Sequence, residues 1–246
     1  MMHDRRLLLD AGNTRLKWAV VEKGQWLAHG GGRYDEPPEW LPFLQNGMPC
    51  YVASVVRDQH KGRLQEWLTS YAIIPVWLSS EVQFADLRNT YVDPKQLGVD
   101  RWMALIAARQ RSQASTLVVS VGTAMTVDAL SAGGAFSGGL IVPGMHMMAQ
   151  ALLQGTAHVI DVDGGDLQAF PQSTADAVRS GSIAAMKGAI RIQYEYLKQA
   201  TGESPHCLIT GGDAAYLLPH LDVPVELAPL LILEGMERVT REGESV

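Results

Sequence analysis

The sequence has few cysteines and no long apolar run. Its two cysteines, Cys50 and Cys207, are far apart, which is too few for a disulfide framework or a metal-binding cysteine cluster. No apolar stretch approaches the ~20 residues that cross a bilayer. The run at Leu7–Leu9 ends at Asp10, too early for the apolar region of a signal peptide. We therefore expect a cytoplasmic protein with reduced thiols and no membrane partner.

Basic residues are also fewer than acidic ones. The chain has 20 Lys and Arg residues against 26 Asp and Glu, a formal net charge of -6 at pH 7. Because nucleic-acid binding needs a basic surface, we expect no nucleic-acid partner, and an anionic ligand would be held by local groups. The 246 residues, 47% of them hydrophobic, are enough for one large domain or two compact ones.

A hairpin pattern occurs twice in the chain. The apolar run at Leu7–Leu9 is followed by a Gly12-Asn13 turn signal and an alternating stretch, which predicts a β-hairpin. The pattern recurs at 117–130, where Ser120 takes the place of Asp10. Such an internal repeat indicates two similarly built halves. Strand and helix patterns alternate along the chain, which favours α/β layers, and we place two domains at 1–113 and 114–246.

The residues of these hairpins suit phosphate binding. Small residues let backbone N–H groups form an anion-binding concavity, Thr14 and Thr123 add hydroxyl donors, and Lys17 adds a point charge. Asp10 ends a buried strand, where a carboxylate is costly unless it is paired or near a hydrated Mg²⁺. An ordinary Gly-Asn hairpin capped by Asp10 is the alternative. The second hairpin and a third turn at Gly211-Gly212 favour phosphate binding.

A short motif, Gly98–Arg101, opens a predicted helix over 99–111. In one interpretation Asp100 only complements the helix dipole and Arg101 is solvated. In the other, Asp100 accepts the proton of a hydroxyl during phosphoryl transfer. Arg101 then binds a carboxylate or amide of the acceptor. A base beside a cation suits a kinase acting on a small acidic alcohol.

Together these stretches resemble the type III pantothenate kinases. The resemblance covers nearly the whole chain and keeps the order of the family's motifs. The motifs are Asp-x-Gly-Asn-Thr-x-x-Lys at 10–17, Gly-x-Asp-Arg at 98–101, Gly-Thr-Ala-x-Thr-x-Asp at 122–128, Gly-Gly-x-Ile-x-Pro-Gly at 138–144 and Thr-Gly-Gly-Asp at 210–213.

The resemblance implies an α/β fold of two actin-like (ribonuclease H-like) domains, with mixed β-sheets flanked by helices and a nucleotide cleft between them. Domain 1–113 would carry the first phosphate hairpin and the catalytic Asp100. Domain 114–246 would carry the second hairpin and a glycine turn on the adenosine side. The resemblance also implies a homodimer.

The implied reaction is ATP-dependent phosphorylation of pantothenate to 4'-phosphopantothenate, the first step of coenzyme A biosynthesis. Asp100 would be the general base for in-line transfer of the γ-phosphoryl group, and Asp10 would orient Mg²⁺ through water. The resemblance assigns pantothenate binding to Tyr91, Gly98, Val99, Asp100, Arg101 and Thr174. It assigns ATP binding to Asp10, Ala11, Gly12, Asn13, Thr14, Arg15, Leu16, Lys17, Gly122, Thr123, Gly211 and Gly212.

One position departs from the family's pattern. Many members carry an aspartate two residues before the glycine of the second phosphate motif, where it is associated with a monovalent cation. This chain has Ser120 there, and a hydroxyl ligates K⁺ or NH₄⁺ more weakly than a carboxylate does. Dependence on Mg²⁺ is expected, whereas dependence on a monovalent cation at Ser120 stays open.

Two other functions stay open on the same scaffold, because a fold does not set a reaction. The first is a kinase or phosphatase for another acceptor, such as a sugar. The second is a nucleotide-dependent regulator that acts on a partner protein. A regulator would not need Asp100 beside an acceptor pocket, so this residue discriminates between an enzyme and a binding module.

Overall fold

The computed structural model describes residues 5–34, 36–55, 58–155 and 165–242. These residues form an α/β fold of two sheets flanked by helices. The elements are, in chain order, β1 (Arg5–Ala11), β2 (Leu16–Glu22), β3 (Gln25–Gly32), β4 (Cys50–Ser54), α1 (Asp58–Ser70), β5 (Pro75–Trp77), β6 (Gln83–Phe84), β7 (Leu87–Asn89), α2 (Val99–Arg111), β8 (Thr116–Val121), β9 (Ala124–Leu130), β10 (Ala135–Pro143), α3 (Met145–Gly155), α4 (Thr174–Thr201), β11 (His206–Thr210), α5 (Ala214–Leu217), β12 (Glu226–Leu227) and α6 (Leu231–Glu242). None of the described helices is both long enough and apolar enough to cross a membrane.

The chain divides into two compact units, and the first comprises Met1–Gln110 and Leu230–Val246. Its sheet has the order β3-β2-β1-β4-β5. Strands β1, β2 and β3 are antiparallel neighbours, while β4 runs parallel to β1 and β5 parallel to β4. The central strand β1 is fully buried at Leu7–Leu9, as expected of a strand covered on both faces. The first predicted hairpin is therefore confirmed.

The last helix corrects the predicted domain boundary. The sequence assigns 114–246 to the second domain, but α6 packs against β1, β2 and β4 of the first unit. Leu231, Leu233 and Met236 are buried there, and the guanidinium of Arg6 donates to the carbonyl of Thr240 at 3.2 Å. Helical periodicity predicts the helix but does not show which sheet its apolar face covers.

The second unit comprises Arg111–Pro229, and five of its strands have the order β12-β11-β8-β9-β10. Strands β8, β9 and β10 form an antiparallel meander, and β11 runs parallel to β8. Helix α4 buries Ile183, Met186 and Ile190 against this sheet at spacings of three and four residues, the period of one helix face. The β8–β9 hairpin repeats β1–β2, so the predicted internal repeat is also confirmed.

Gly30–Gly32 form the last part of β3, and Gly32 pairs with Leu16 at the start of β2. At Gly30 a side chain would come within 2.9 Å of the Trp18 ring, so the strand needs a glycine there. The β6–β7 hairpin is not predicted, because strands of two and three residues are too short to show a period.

Candidate active site

Asp10 is a buried carboxylate at the end of β1. Only 7% of the residue is exposed, and it lies opposite Lys17 in the β1–β2 register. Burial raises its pKa to about 7, Lys17 lowers that pKa, and the charge of Asp100 raises it further. Two acidic residues from distant parts of the sequence therefore share one region of the first unit.

A tight turn links Asp10 to Lys17. The N–H of Gly12 donates to the carbonyl of Arg15 at 3.1 Å, and Asn13 and Thr14 are exposed. The hydroxyl of Tyr34 donates to the carbonyl of Gly12 at 2.7 Å. The structure thus places the predicted phosphate residues of this hairpin on one turn. No sequence pattern predicts that Tyr34 contacts this turn, because the pairing of β2 with β3 brings it close to Gly12.

Asp100 lies in the first turn of α2, where its carboxylate is held in a fixed orientation. Its Oδ1 atom accepts a hydrogen bond from the N–H of Arg101 at 2.8 Å. A β-carbon at Gly98 would lie 2.6 Å from the same oxygen, so glycine is required for this arrangement. Burial raises the pKa of Asp100, and the N–H and the charge of Arg101 lower it in part. A higher pKa makes the carboxylate a stronger base.

Arg101 is buried and paired with an aromatic residue. It is only 5% exposed, so the interpretation of a solvated Arg101 is wrong. Its Nη1 atom donates to the hydroxyl of Tyr91 at 2.9 Å, and its guanidinium carbon lies 5.7 Å from the centroid of the Tyr91 ring. The structure therefore brings together the predicted acceptor residues at 91 and 98–101.

Asn89, which no sequence pattern identifies, supports the loop that carries Tyr91. Its Oδ1 atom accepts from the N–H of Tyr91 at 3.1 Å, and its amide nitrogen donates to the carbonyl of Pro94 at 3.0 Å. The buried amide thereby fixes the loop that carries Tyr91. A single Asn in an irregular stretch gives no sequence pattern that would identify this role.

The second unit carries glycine turns of its own. The N–H of Gly122 donates to the carbonyl of Ala124 at 3.0 Å and closes the β8–β9 turn, which carries Thr123. Gly211 follows β11 with φ +106°, and a β-carbon there would lie 2.0 Å from the carbonyl oxygen of Val121. Gly211 and Gly212 follow β11 directly. Gly211 therefore lies against the last residue of β8, just before the β8–β9 turn.

Ser120 and Thr174 also belong to the second unit. Ser120 pairs with Thr126 on β9 and with Thr210 on β11. The hydroxyl of Thr126 is buried without a hydrogen-bond partner among the described residues, so the strand neighbours of Ser120 carry neutral hydroxyl groups. Thr174 is exposed at the start of α4, where the hydroxyl of Ser173 caps the helix by accepting from the N–H of Asp176 at 3.1 Å.

The described residues contain no group of three or more His, Cys, Asp or Glu side chains placed to hold a metal ion. Carboxylate oxygens are nevertheless the protein ligands that Mg²⁺ prefers, and one or two of them suffice when water and phosphates complete the shell. Asp10 fits that requirement, because burial and, to a smaller extent, the charge of Asp100 raise the pKa of its carboxyl, and a cation would stabilise the charged form. The residues present therefore fit a magnesium ion that arrives with a nucleotide.

The fold, with the same hairpin turn in each unit, is actin-like. The chain is similar in structure to a putative 2-dehydro-3-deoxygalactonokinase from Sinorhizobium meliloti, with a TM-score of 0.57 and 12% identity over 98% of this chain and 100% of that one. It is also similar to a conserved putative Baf family transcriptional activator from Campylobacter jejuni, with a TM-score of 0.62 and 23% identity over 98% and 100% of the two chains.

The sequence comparisons narrow this class to one family. The family model for type III pantothenate kinase matches residues 6–195. A type III pantothenate kinase from Thiobacillus denitrificans is 55% identical over 238 residues, which cover 97% of each chain. Another from Nitrosospira multiformis is 38% identical over 98% of this chain and 93% of its own. The chain therefore belongs to the type III pantothenate kinase family.

Proposed function

We propose that this protein transfers the γ-phosphoryl group of ATP to pantothenate and forms 4'-phosphopantothenate, the first step of coenzyme A biosynthesis. The observation that carries the proposal is the carboxylate of Asp100, which is held by the N–H of Arg101 at 2.8 Å and lies beside a buried guanidinium. Phosphoryl transfer to an alcohol needs such a base next to a group that positions the acceptor.

Asp100 accepts the proton of the primary hydroxyl of pantothenate as that oxygen attacks the γ-phosphorus in line. Burial raises the pKa of Asp100, and this brings the carboxylate closer to the basicity at which proton transfer is efficient. Gly98 leaves the space that the carboxylate occupies. The proton goes to Asp100, the phosphoryl group to the alcohol oxygen, and ADP leaves.

Arg101 binds the carboxylate of pantothenate through its guanidinium, which offers several N–H donors in a fixed plane. Tyr91 accepts one of these N–H groups at 2.9 Å and so holds the guanidinium in place, while Gly98 and Val99 form the adjoining backbone. We propose that Thr174 completes the acceptor site from a second copy of the chain in a homodimer.

In the first unit, the turn from Asp10 to Lys17 is proposed to bind phosphates of ATP. In the second unit, the turns that carry Gly122, Thr123, Gly211 and Gly212 are proposed to bind ATP as well. Lys17 supplies a positive charge, and the turns supply backbone N–H groups. Asp10 would hold a hydrated Mg²⁺ ion, which would supply positive charge to offset part of the phosphate charge. A monovalent cation near Ser120 would have neutral oxygens as ligands, so its effect on activity should be weak. Use of ATP suits an enzyme of the cytoplasm.

The proposal is tested by measuring ADP release with Mg-ATP and a panel of acceptors, with and without K⁺. Turnover with pantothenate, but not with sugars, supports the proposed reaction. Turnover with a sugar would establish a different kinase. Nucleotide binding without turnover on any acceptor would favour a regulator. Loss of all activity without K⁺ would contradict the weak effect expected at Ser120.

A further inference from the structure

The hydroxyl of Tyr34 is hydrogen-bonded to the backbone of the first phosphate turn. It donates to the carbonyl of Gly12 at 2.7 Å. The sheet register explains the contact, since Gly32 at the end of β3 pairs with Leu16 at the start of β2. Tyr34 lies two residues beyond Gly32 and so reaches the turn that precedes Leu16. Its side chain packs against the core of the first unit, which gives the hydroxyl a fixed support.

This bond fixes the orientation of one peptide group. The carbonyl of Gly12 and the N–H of Asn13 belong to the same planar peptide unit, and the described chain contains no cis peptide bond. The two groups therefore point in opposite directions. By holding the carbonyl, Tyr34 also sets the direction of the Asn13 N–H.

The N–H groups of Gly12 and Asn13, at the start of the turn, differ in their hydrogen bonding. The N–H of Gly12 closes the turn on the carbonyl of Arg15 at 3.1 Å. Asn13 is exposed and makes no hydrogen bond to any other described residue. Tyr34 therefore sets the direction of the Asn13 N–H, and this N–H is available to bind an anion. Turns with such N–H groups bind phosphate oxygens.

We infer that Tyr34 is a positioning residue for ATP, which holds the N–H of Asn13 in the direction that donates to a phosphate oxygen. The inference rests on the proposed function, because ATP is taken as the ligand of this turn. Tyr34 acts through the Gly12–Asn13 peptide and does not itself touch the nucleotide. Without the hydroxyl, this peptide can rotate, and nucleotide binding must then supply the cost of ordering it.

The test compares the wild-type protein with Tyr34→Phe and with a matched control, Tyr216→Phe. Tyr216 belongs to the second unit, and its hydroxyl also takes part in a partly buried hydrogen bond, accepting from the Arg179 side chain at 2.8 Å. Calorimetry with Mg²⁺ and a non-hydrolysable ATP analogue gives Kd without any acceptor. Steady-state kinetics give KM for ATP and for pantothenate, and melting curves report stability.

We expect Tyr34→Phe to raise Kd and KM for the nucleotide by about three- to tenfold, the range for one lost hydrogen bond, and to leave KM for pantothenate unchanged. Tyr216→Phe should change none of these values. A Tyr34→Phe protein that melts at a lower temperature but binds the analogue like wild type has lost only a structural contact, and this result overturns the inference.

Variants of Asn13 test the same inference in a second way. Asn13→Pro removes the N–H itself, and Asn13→Ala removes only the side chain. If Tyr34 acts through this N–H, the double variant Tyr34→Phe/Asn13→Pro binds the nucleotide no more weakly than Asn13→Pro alone. Additive losses overturn the inference. A protein that shows the Tyr34 effect on nucleotide binding but never phosphorylates pantothenate would refute the proposed function and still support this role of Tyr34.

Discussion

Asp10 and Asp100 lie close enough for their charges to interact, although one ends β1 and the other begins α2. The charge of Asp100 raises the pKa of Asp10, in addition to the larger effect of burial, and Lys17 only partly offsets both. Such a pair costs free energy in the empty protein. A site with two such carboxylates is suited to bind a cation together with a phosphorylated ligand, because the cation offsets their negative charge.

The first prediction concerns the stability of the metal-free, nucleotide-free protein. The pKa of Asp10 is raised from 3.8 to about 7, so the folded state holds the proton more tightly than the unfolded state. The contribution of Asp10 is therefore fully favourable below about pH 4 and is lost as the pH rises through about 7. We expect Asp10→Asn to melt several degrees above wild type at pH 8, with the difference vanishing near pH 4.

Asp86 provides a control of opposite sign. Its hydrogen bond from the Arg109 side chain lowers its pKa, so it stabilises the folded state above its unfolded pKa, and this contribution is lost at acid pH. Asp86→Asn should therefore melt slightly below wild type at pH 8. Melting curves that show Asp10→Asn to be the less stable protein at pH 8 would refute the assignment of a destabilising buried carboxylate.

The second prediction concerns Lys17. Replacement by Met keeps most of the apolar stem but removes the charge that we propose pairs with a phosphate. We expect KM for ATP to rise roughly 10- to 100-fold, the range for a charge-assisted hydrogen bond, with little change in KM for pantothenate. Lys198→Met, at an exposed position in the last turn of α4, is the matched control. Equal ATP kinetics in the two variants would exclude a phosphate contact for Lys17.

The third prediction concerns Arg101. Arg101→Lys keeps the charge but loses the planar set of donors and the hydrogen bond to Tyr91. We expect KM for pantothenate to rise about tenfold or more, while KM for ATP is retained. Arg111→Lys lies on the same helix, where Arg111 forms an ion pair with Glu226, and it serves as control. A change in KM for ATP alone would indicate that Arg101 binds ATP and would contradict its proposed contact with pantothenate.

The fourth prediction separates two adjacent glycines. Gly211 has φ +106°, and a β-carbon there would lie 2.0 Å from a carbonyl oxygen, whereas Gly212 has no atom within 4 Å of that position. Gly211→Ala should lower the free energy of unfolding by about 2 kcal/mol or more. Gly212→Ala should change it by about 0.5 kcal/mol or less. Chemical denaturation measures both, and similar values would contradict the strained turn after β11.

The sequence predicts the hairpins well because their signals are local. The turn after Asp10 and the repeat at 117–130 rest on apolar runs and glycines within a few residues of one another, and the structure has both hairpins. The helix over 99–111 is likewise observed with its predicted bounds. Local patterns therefore account for the motifs that carry the candidate site.

Long-range packing accounts for what the sequence does not predict. Helix α6 joins the first unit, and Tyr34 reaches Gly12, because strands and helices from distant segments pack together. Asn89 supports Tyr91 through a loop without periodicity. A single sequence contains no record of such pairings, so these residues become visible only in three dimensions.

The central claim is that Asp100 is the base for phosphoryl transfer to pantothenate. The most direct test is the rate of ADP release with saturating Mg-ATP and pantothenate, measured for wild type and Asp100→Asn, with nucleotide affinity measured alongside. The account predicts that the variant binds the nucleotide at least as tightly but loses about 10²- to 10⁴-fold in kcat. Turnover of Asp100→Asn at the wild-type rate would contradict it.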